Sequence, residues 1–201
     1  MLTIREAEME LKTGAGLTPG PWEQHSRSVG ENARRIAEKI PWLNPDKAYV
    51  FGLMHDIGRR FGIRQILHIF EGYEYMLALG HDDIARICLT HSFPLKNADT
   101  YIGRYDCTPE QKAFLEAFLQ NTEYDDYDLL IQLCDAISLP VGACIMEKRL
   151  VDVALRHGLP DFTPDKWKAF MNIKKHFDEL CRCNIYSLLP NVLENSSENL
   201  F

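Results

Sequence analysis

Apolar residues recur every three or four positions along most of this chain, and clusters of Gly, Pro, Asn and Asp interrupt the runs. That period is the mark of amphipathic helices. Thr3-x-x-Glu6 is a capping box that opens a first helix to about residue 12. Gly14, Gly16, Pro19, Gly20 and Pro21 then predict a loop. From residue 22 to about 40 a long helix carries Val29, Ala33, Ile36, Ala37 and Ile40 on one stripe, with His25 on the same face. Asn44-Pro45-Asp46 supplies an N-cap followed by proline at the first helical position. The helix it starts is expected to carry Phe51, Gly52, His55 and Asp56 until Gly58 and Gly62 break it.

A helical region over residues 65–79 follows, with His68 near its start. Asp82 or Asp83 opens the next helix, striped by Ile84, Ile87, Cys88 and His91 and closed by Pro94, and a polar loop runs through Arg104. Thr108-Pro109-Glu110-Gln111 combines a capping box with proline at N1 and predicts a helix to about residue 120. After an acidic turn around Asp125, the stripe Tyr127, Leu130, Ile131, Cys134, Asp135 and Ser138 predicts a helix that Pro140 ends. Two further helices are expected over about 142–157 and 164–188, the second capped by Thr163, and the polar tail from 191 is expected to fray. There is no alternating stretch bounded by hairpin turns, no glycine-rich phosphate loop and no internal repeat. The pattern predicts an all-α fold, one domain spanning residues 1–201.

Composition adds limits. Hydrophobic residues make up 46% and charged residues 25%, which is ordinary for a globular protein. A net charge of -7 argues against general nucleic-acid binding, which rests on neutralising phosphates with Lys and Arg. It leaves room for a small phosphorylated substrate, for which a local positive site or a bound metal suffices. No apolar run approaches the roughly 18 residues of a membrane span, and Met1-Leu2-Thr3-Ile4-Arg5-Glu6 has no signal-peptide core. The expectation is a cytoplasmic protein whose six scattered cysteines (88, 107, 134, 144, 181 and 183) are reduced thiols. Asn195-Ser196-Ser197 matches a glycosylation sequon only formally.

The chemistry lies in His25, His55, Asp56, His68, His91 and Asp135, several of them on otherwise apolar helical faces. A lone histidine there is most often a satisfied core residue. Asp135 is harder to place, because a buried carboxylate needs a partner, a hydrogen bond or a metal, and no Lys or Arg lies within a turn of it on its own helix. Histidine and carboxylate donors suit Zn, Mn, Fe and similar ions better than Ca or Mg. Six of them exceed one tetrahedral site and would suit two ions sharing a carboxylate. His81, His157 and His176 fall at helix junctions or outside this set and are left out.

The ordered set of Gln24-His25-Ser26, His55-Asp56-Ile57-Gly58 and Leu133-Cys134-Asp135-Ala136 resembles the HD-domain metal-dependent phosphohydrolase superfamily. The resemblance covers a core of about residues 20–155, with C-terminal helices over 156–190 and a tail over 191–201. His68-x-x-x-Gly72 and His91 are similar to the extra histidines of binuclear members, such as bacterial hydrolases that cleave diadenosine tetraphosphate with iron. The resemblance implies one or two divalent or transition ions (Fe, Mn, Zn, Co or Ni). The first would be held by His25, His55, Asp56 and Asp135, the second by His68 and His91 with Asp56 bridging. It further implies water activated for attack on a phosphoester or phosphoanhydride of a nucleotide or related small metabolite. Asp56 is a candidate for proton transfer, and Arg59 and Arg60, with Arg64 and Lys96 behind them, for binding the phosphate. Ser92-Phe93-Pro94 departs from the paired histidines and Gly-Tyr-Pro element of the cyclic-dinucleotide phosphodiesterases. A non-catalytic ligand-binding or regulatory module is the competing expectation, and a homodimer is compatible with either.

Overall fold

The computed structural model describes residues 2–197 and is all-α apart from one short β-pair. Helix α1 (Ile4–Leu17) starts at the expected capping box, Thr3 Oγ1 accepting from Glu6 N at 3.3 Å and Glu6 Oε2 accepting from Thr3 N at 2.8 Å. It does not stop near residue 12. It runs through Gly14, where a Cβ would lie 3.1 Å from Arg60 Cβ and 3.2 Å from Trp22 Cη2. The glycine is there to admit a close contact, not to make a turn.

Helices α2 (Trp22–Ala37) and α3 (Pro45–Met54) cross at Gly30 and Gly52. A Cβ on Gly52 would sit 2.5 Å from Gly30 Cα and 2.6 Å from Gly30 N, so the two backbones touch with nothing between them. Asn44 caps α3 as predicted, its Oδ1 accepting from Asp46 N and Lys47 N at 2.9 and 3.0 Å. A 3-10 turn (Ile57–Phe61) follows, and α4 (Leu67–Ala78) lies against it. At Gly58 a Cβ would fall on the carbonyl of His68, so that position admits only glycine.

Helix α5 (Asp82–Thr90), α6 (Pro109–Asn121) and α7 (Asp126–Ala136) complete the first part of the bundle. Thr108 and Asp125 cap α6 and α7 with reciprocal boxes. Asp128, fully buried, also accepts from Thr90 Oγ1 at 2.8 Å and pairs with Arg86, tying α7 to α5. The main core gathers residues of α1, α2, α3, α5, α7 and α9, and a smaller one forms around Phe70, Phe93, Leu115 and Leu119.

Several expectations need correction toward the C-terminus. Ser138 does not continue α7; with Leu139 it forms β1 (Ser138–Leu139), antiparallel to β2 (Gly142–Ala143). Ser138 Oγ accepts from Asn32 Nδ2 at 2.9 Å, which holds the turn to α2. Helix α8 (Met146–His157) therefore starts four residues late. Thr163 is not the cap of α9 (Thr163–Cys181); Phe162 stands at that position without a side-chain bond. The helix ends at Arg182 in left-handed backbone, φ 55°, before a 3-10 turn (Ile185–Leu188). The tail does not fray at 191: α10 (Val192–Ser197) buries Val192 and Asn195, and Asn195 Nδ2 donates to Ala143 O at 2.8 Å. The rest of the expected fraying, over 198–201, lies outside the described residues. All six cysteines are free. Among the described residues no helix is long and apolar enough to cross a membrane.

The α2–α3 contact makes a test. Gly52→Ala forces two backbones apart, and is expected to cost about 3 kcal/mol of unfolding free energy, the upper end of overpacking penalties, read by denaturant titration. An unchanged midpoint would show that the helices have room to separate.

Candidate metal centre

Helix α3 stops at Met54, so His55 is its C-cap and Asp56 stands between the helix and the 3-10 turn. The expected helix would have carried both residues farther. Leaving it at this point brings the Asp56 carboxylate toward α4 and α5. His68 comes from the first turn of α4, His91 caps the C-terminus of α5, His25 lies one turn into α2, and Asp135 sits in the last turn of α7. Five of the six are at least nine-tenths buried, and Asp135 is half-buried.

The structure brings all six together. The imidazoles form a row, with ring centroids 5.4 Å apart for His25 and His55, 5.0 Å for His55 and His91, and 5.7 Å for His91 and His68. His25 Nε2 meets Asp135 Oδ1 at 2.9 Å. Asp56 faces the other three: Oδ1 is 2.9 Å from His68 Nε2 and 3.7 Å from His91 Nε2, and Oδ2 is 3.8 Å from His55 Nε2. Donor atoms of His25, His55 and Asp135 lie within 4.8 Å of one another, as do those of His55, Asp56 and His91. The two groups share His55.

The opposite edges of three rings are tied down. His55 Nδ1–H donates to Gly52 O at 2.7 Å and His91 Nδ1–H to Cys88 O at 3.0 Å, while His68 Nδ1–H donates to Gln65 O. With the proton held at Nδ1, each ring turns a bare Nε2 inward, which is the tautomer a metal needs. His55 Nε2, His68 Nε2 and Asp56 Oδ1 are buried with no hydrogen-bond partner, the 2.9 Å approach of the last two being misaligned for one. Unpaired buried polar atoms are costly singly. Three of them converging on one space fit a cation.

The electrostatics agree. Burial lowers the pKa of His25, against the opposing pull of Asp135, and pushes His91 down to about 3, and both shifts favour the neutral ring. Burial works against ionisation of Asp56, but the Arg59 guanidinium beside it outweighs that and holds the carboxyl well below its usual range. Asp135 is likewise lowered, burial being outweighed by the His25 hydrogen bond. Anionic oxygens and neutral nitrogens are the donor set of a transition ion.

Of the two arginines expected near the site, only Arg59 reaches it. Its Nε donates to Asp56 Oδ2 at 2.5 Å with the side chain about one-third exposed, at 32%. Arg60 is turned away: it pairs with Glu10 at 2.6 Å and stacks on the Tyr75 ring, 4.2 Å from its centroid, fastening α1 to α4. Arg64 pairs with Glu71, and Lys96 donates to Thr122 O. His176 bonds Asp126 far along the chain, and His157 ends α8. One residue was missed. Lys166 on α9 is buried and donates to Ser92 O and Thr100 O, just beyond His91. The signal was present in its place on the stripe Thr163, Phe170, Ile173 and Phe177.

Residues 22–139 match the family model described as HD domain. The chain belongs to the HD domain family, whose members are mostly metal-dependent hydrolases. Comparison with curated proteins and with solved structures returned no match. The matched segment runs from α2 through β1 and contains all six clustered residues, whereas α8, α9 and α10 lie beyond it.

Two predictions follow from the donor set. Protein purified without chelator is expected to carry about one to two transition ions per chain, with all of it lost in Asp56→Ala and about one ion kept in His68→Ala; elemental analysis reads both. Metal retained at full level in Asp56→Ala would exclude this carboxylate as a ligand.

The second prediction concerns pH in the chelated protein. His91 drops from 6.5 to about 3 on folding, so the unfolded chain takes up the proton first. Its contribution is whole above the unfolded value and is lost as pH falls from there toward about 3. Asp56 and Asp135, lowered in the fold, lose their contributions in the same direction as pH falls through and below the ordinary carboxylate range. Tm should therefore fall steadily from about pH 7 to about pH 4, and a flat profile over that range would contradict the buried neutral histidine.

Proposed function

We propose that this protein is a phosphohydrolase that cleaves a phosphoester or phosphoanhydride of a small phosphorylated metabolite, a nucleotide or a related compound. The observation that carries the reading is the convergence of three unpartnered buried atoms, His55 Nε2, Asp56 Oδ1 and His68 Nε2, in a chain of the HD domain family.

His25, His55, Asp56 and Asp135 would hold one ion, and His68 and His91 a second, with Asp56 common to both. That division is supported by the two oxygens of Asp56, one facing His68 and His91 and the other His55. Bound there, a transition ion supplies acidified water and withdraws charge from phosphoryl oxygens. The protein's own groups do the rest. The Nδ1 anchors fix the rings, so no reorganisation is needed when substrate arrives. Arg59 keeps Asp56 ionised and, being partly exposed, presents its remaining N–H groups to an incoming phosphate. The Tyr101 hydroxyl, in the field of Arg59 and the site carboxylates, is kept protonated chiefly by burial and so remains a hydrogen-bond donor.

The test is phosphate release from a panel of nucleotides, sugar phosphates and aryl phosphates with Mn, Fe, Co, Ni or Zn supplied. Turnover is expected with at least one metal, and Asp56→Ala should lower kcat by on the order of a thousandfold, equivalent to about 4 kcal/mol. Tight binding of a phosphorylated ligand by metal-loaded protein, with no product over hours, would favour a regulatory module instead.

A further inference from the structure

A cleft of about 450 Å³ opens between the 99–105 segment and the corner that joins α8 to α9. Its walls combine flat and cationic surface with one carboxylate, Asp99, which is paired with Lys112. Tyr101 and Tyr105 meet edge to face, centroids 6.0 Å apart at 80°, and Phe162 lines the cleft with them. Arg104 lines it too and makes no ion pair among the described residues. Arg156, half exposed, is held by one carboxylate, Asp152 at 2.7 Å. In a chain with net charge -7, two arginines beside three aromatic rings make an unusual local surface.

Two residues connect this cleft to the metal centre. Gln65 lines it, and the Gln65 carbonyl accepts from His68 Nδ1. Tyr101 lines it, and its ring lies 6.2 Å from that of Phe93, two residues after His91. The wall is also held in place from behind. Lys166, 5% exposed, donates to Ser92 O at 2.9 Å and Thr100 O at 2.8 Å and has no carboxylate partner among the described residues. A cation buried on carbonyls alone costs folding energy that an apolar residue would avoid. Here it fastens α9 to the segment running from His91 to Tyr101, so both walls keep one spacing.

We propose that this cleft receives the leaving group of the reaction, and that the substrate is a nucleoside di- or polyphosphate cleaved at its terminal anhydride. The base packs on the aromatic wall, and Arg104 and Arg156 take the phosphate that stays with the nucleoside. Water oxygen bonds to the terminal phosphorus, and the bridging P–O bond breaks with its electron pair going to the departing nucleotide. The water proton passes to solvent, leaving inorganic phosphate and a nucleotide shorter by one phosphate. Selectivity then comes in part from Arg156 and Phe162, outside the segment that matches the HD domain model. This inference rests on the phosphohydrolase reading above.

The test uses the full metal-loaded chain and two probes that cannot be hydrolysed, α,β-methylene-ADP and methylenediphosphonate, titrated calorimetrically. The nucleoside probe should bind at least about tenfold more tightly. Phe162→Ala, at a half-exposed position, should weaken the nucleoside probe about tenfold and leave methylenediphosphonate unchanged, whereas Arg104→Ala, at an exposed position, should weaken both probes. Equal affinity for the two probes, or no loss in either variant, or equal loss for both probes in Phe162→Ala, overturns the assignment. Cleft-dependent binding with no phosphate released from any substrate would leave the cleft standing and remove the hydrolase reading. Phosphate release without dependence on Arg104 or Phe162 would do the reverse.

Discussion

The fold depends on keeping two carboxylates and four imidazoles inside a helical core. Ionised Asp56 is almost fully buried, and its neighbours are a guanidinium at one oxygen and imidazole nitrogens around both. Such a group is tolerated only when charge and hydrogen bonds compensate it. The compensation visible in the chain is partial, since Asp56 Oδ1 and two ring nitrogens are left over. The glycines at 30, 52, 58 and 72 serve the same end. They let α2, α3, the 3-10 turn and α4 approach closely enough for ligands from four elements to share one space. A cation in that space would complete the compensation and join those elements.

Helix starts were legible wherever a side chain makes the cap. Thr3, Asn44, Thr108 and Asp125 all accept the bonds their positions predict. Ends were less so, because they are decided by tertiary contact. Gly14 reads as a breaker but serves as a contact with Arg60 and Trp22. Thr163 has the right type for a cap, yet its hydroxyl is buried and unbonded. Asn195 looks like part of a polar tail but finds Ala143 O, a partner 52 residues away. The pair at 138–143 is too short for an alternating pattern to show.

The site was more legible than the fold's details, for a physical reason. A histidine or aspartate on an apolar stripe conflicts with its surroundings, and the conflict is visible one residue at a time. His25, His55, His68, His91 and Asp135 all carry that mark. The arginines do not, because a charged residue after a helix end is unremarkable wherever it points. Arg59 turns to Asp56 and its neighbour Arg60 to Glu10, a difference set by which face of the 3-10 turn each occupies. Lys166 did carry the mark but lay outside the segment with the family resemblance. It bonds the backbone next to His91, so the part of the chain beyond the HD match is tied to the segment that carries this histidine.

The central claim is that an ion sits among the inward-facing Nε2 atoms and Asp56. Anomalous diffraction from a crystal of metal-loaded protein, collected at the absorption edge of the bound ion, tests it directly. The account predicts a peak within bonding distance, about 2.0–2.2 Å, of Asp56 and of at least two of His25, His55, His68 and His91. A crystal grown with the same ion that shows no peak there, with the three rings still turned inward, would contradict it.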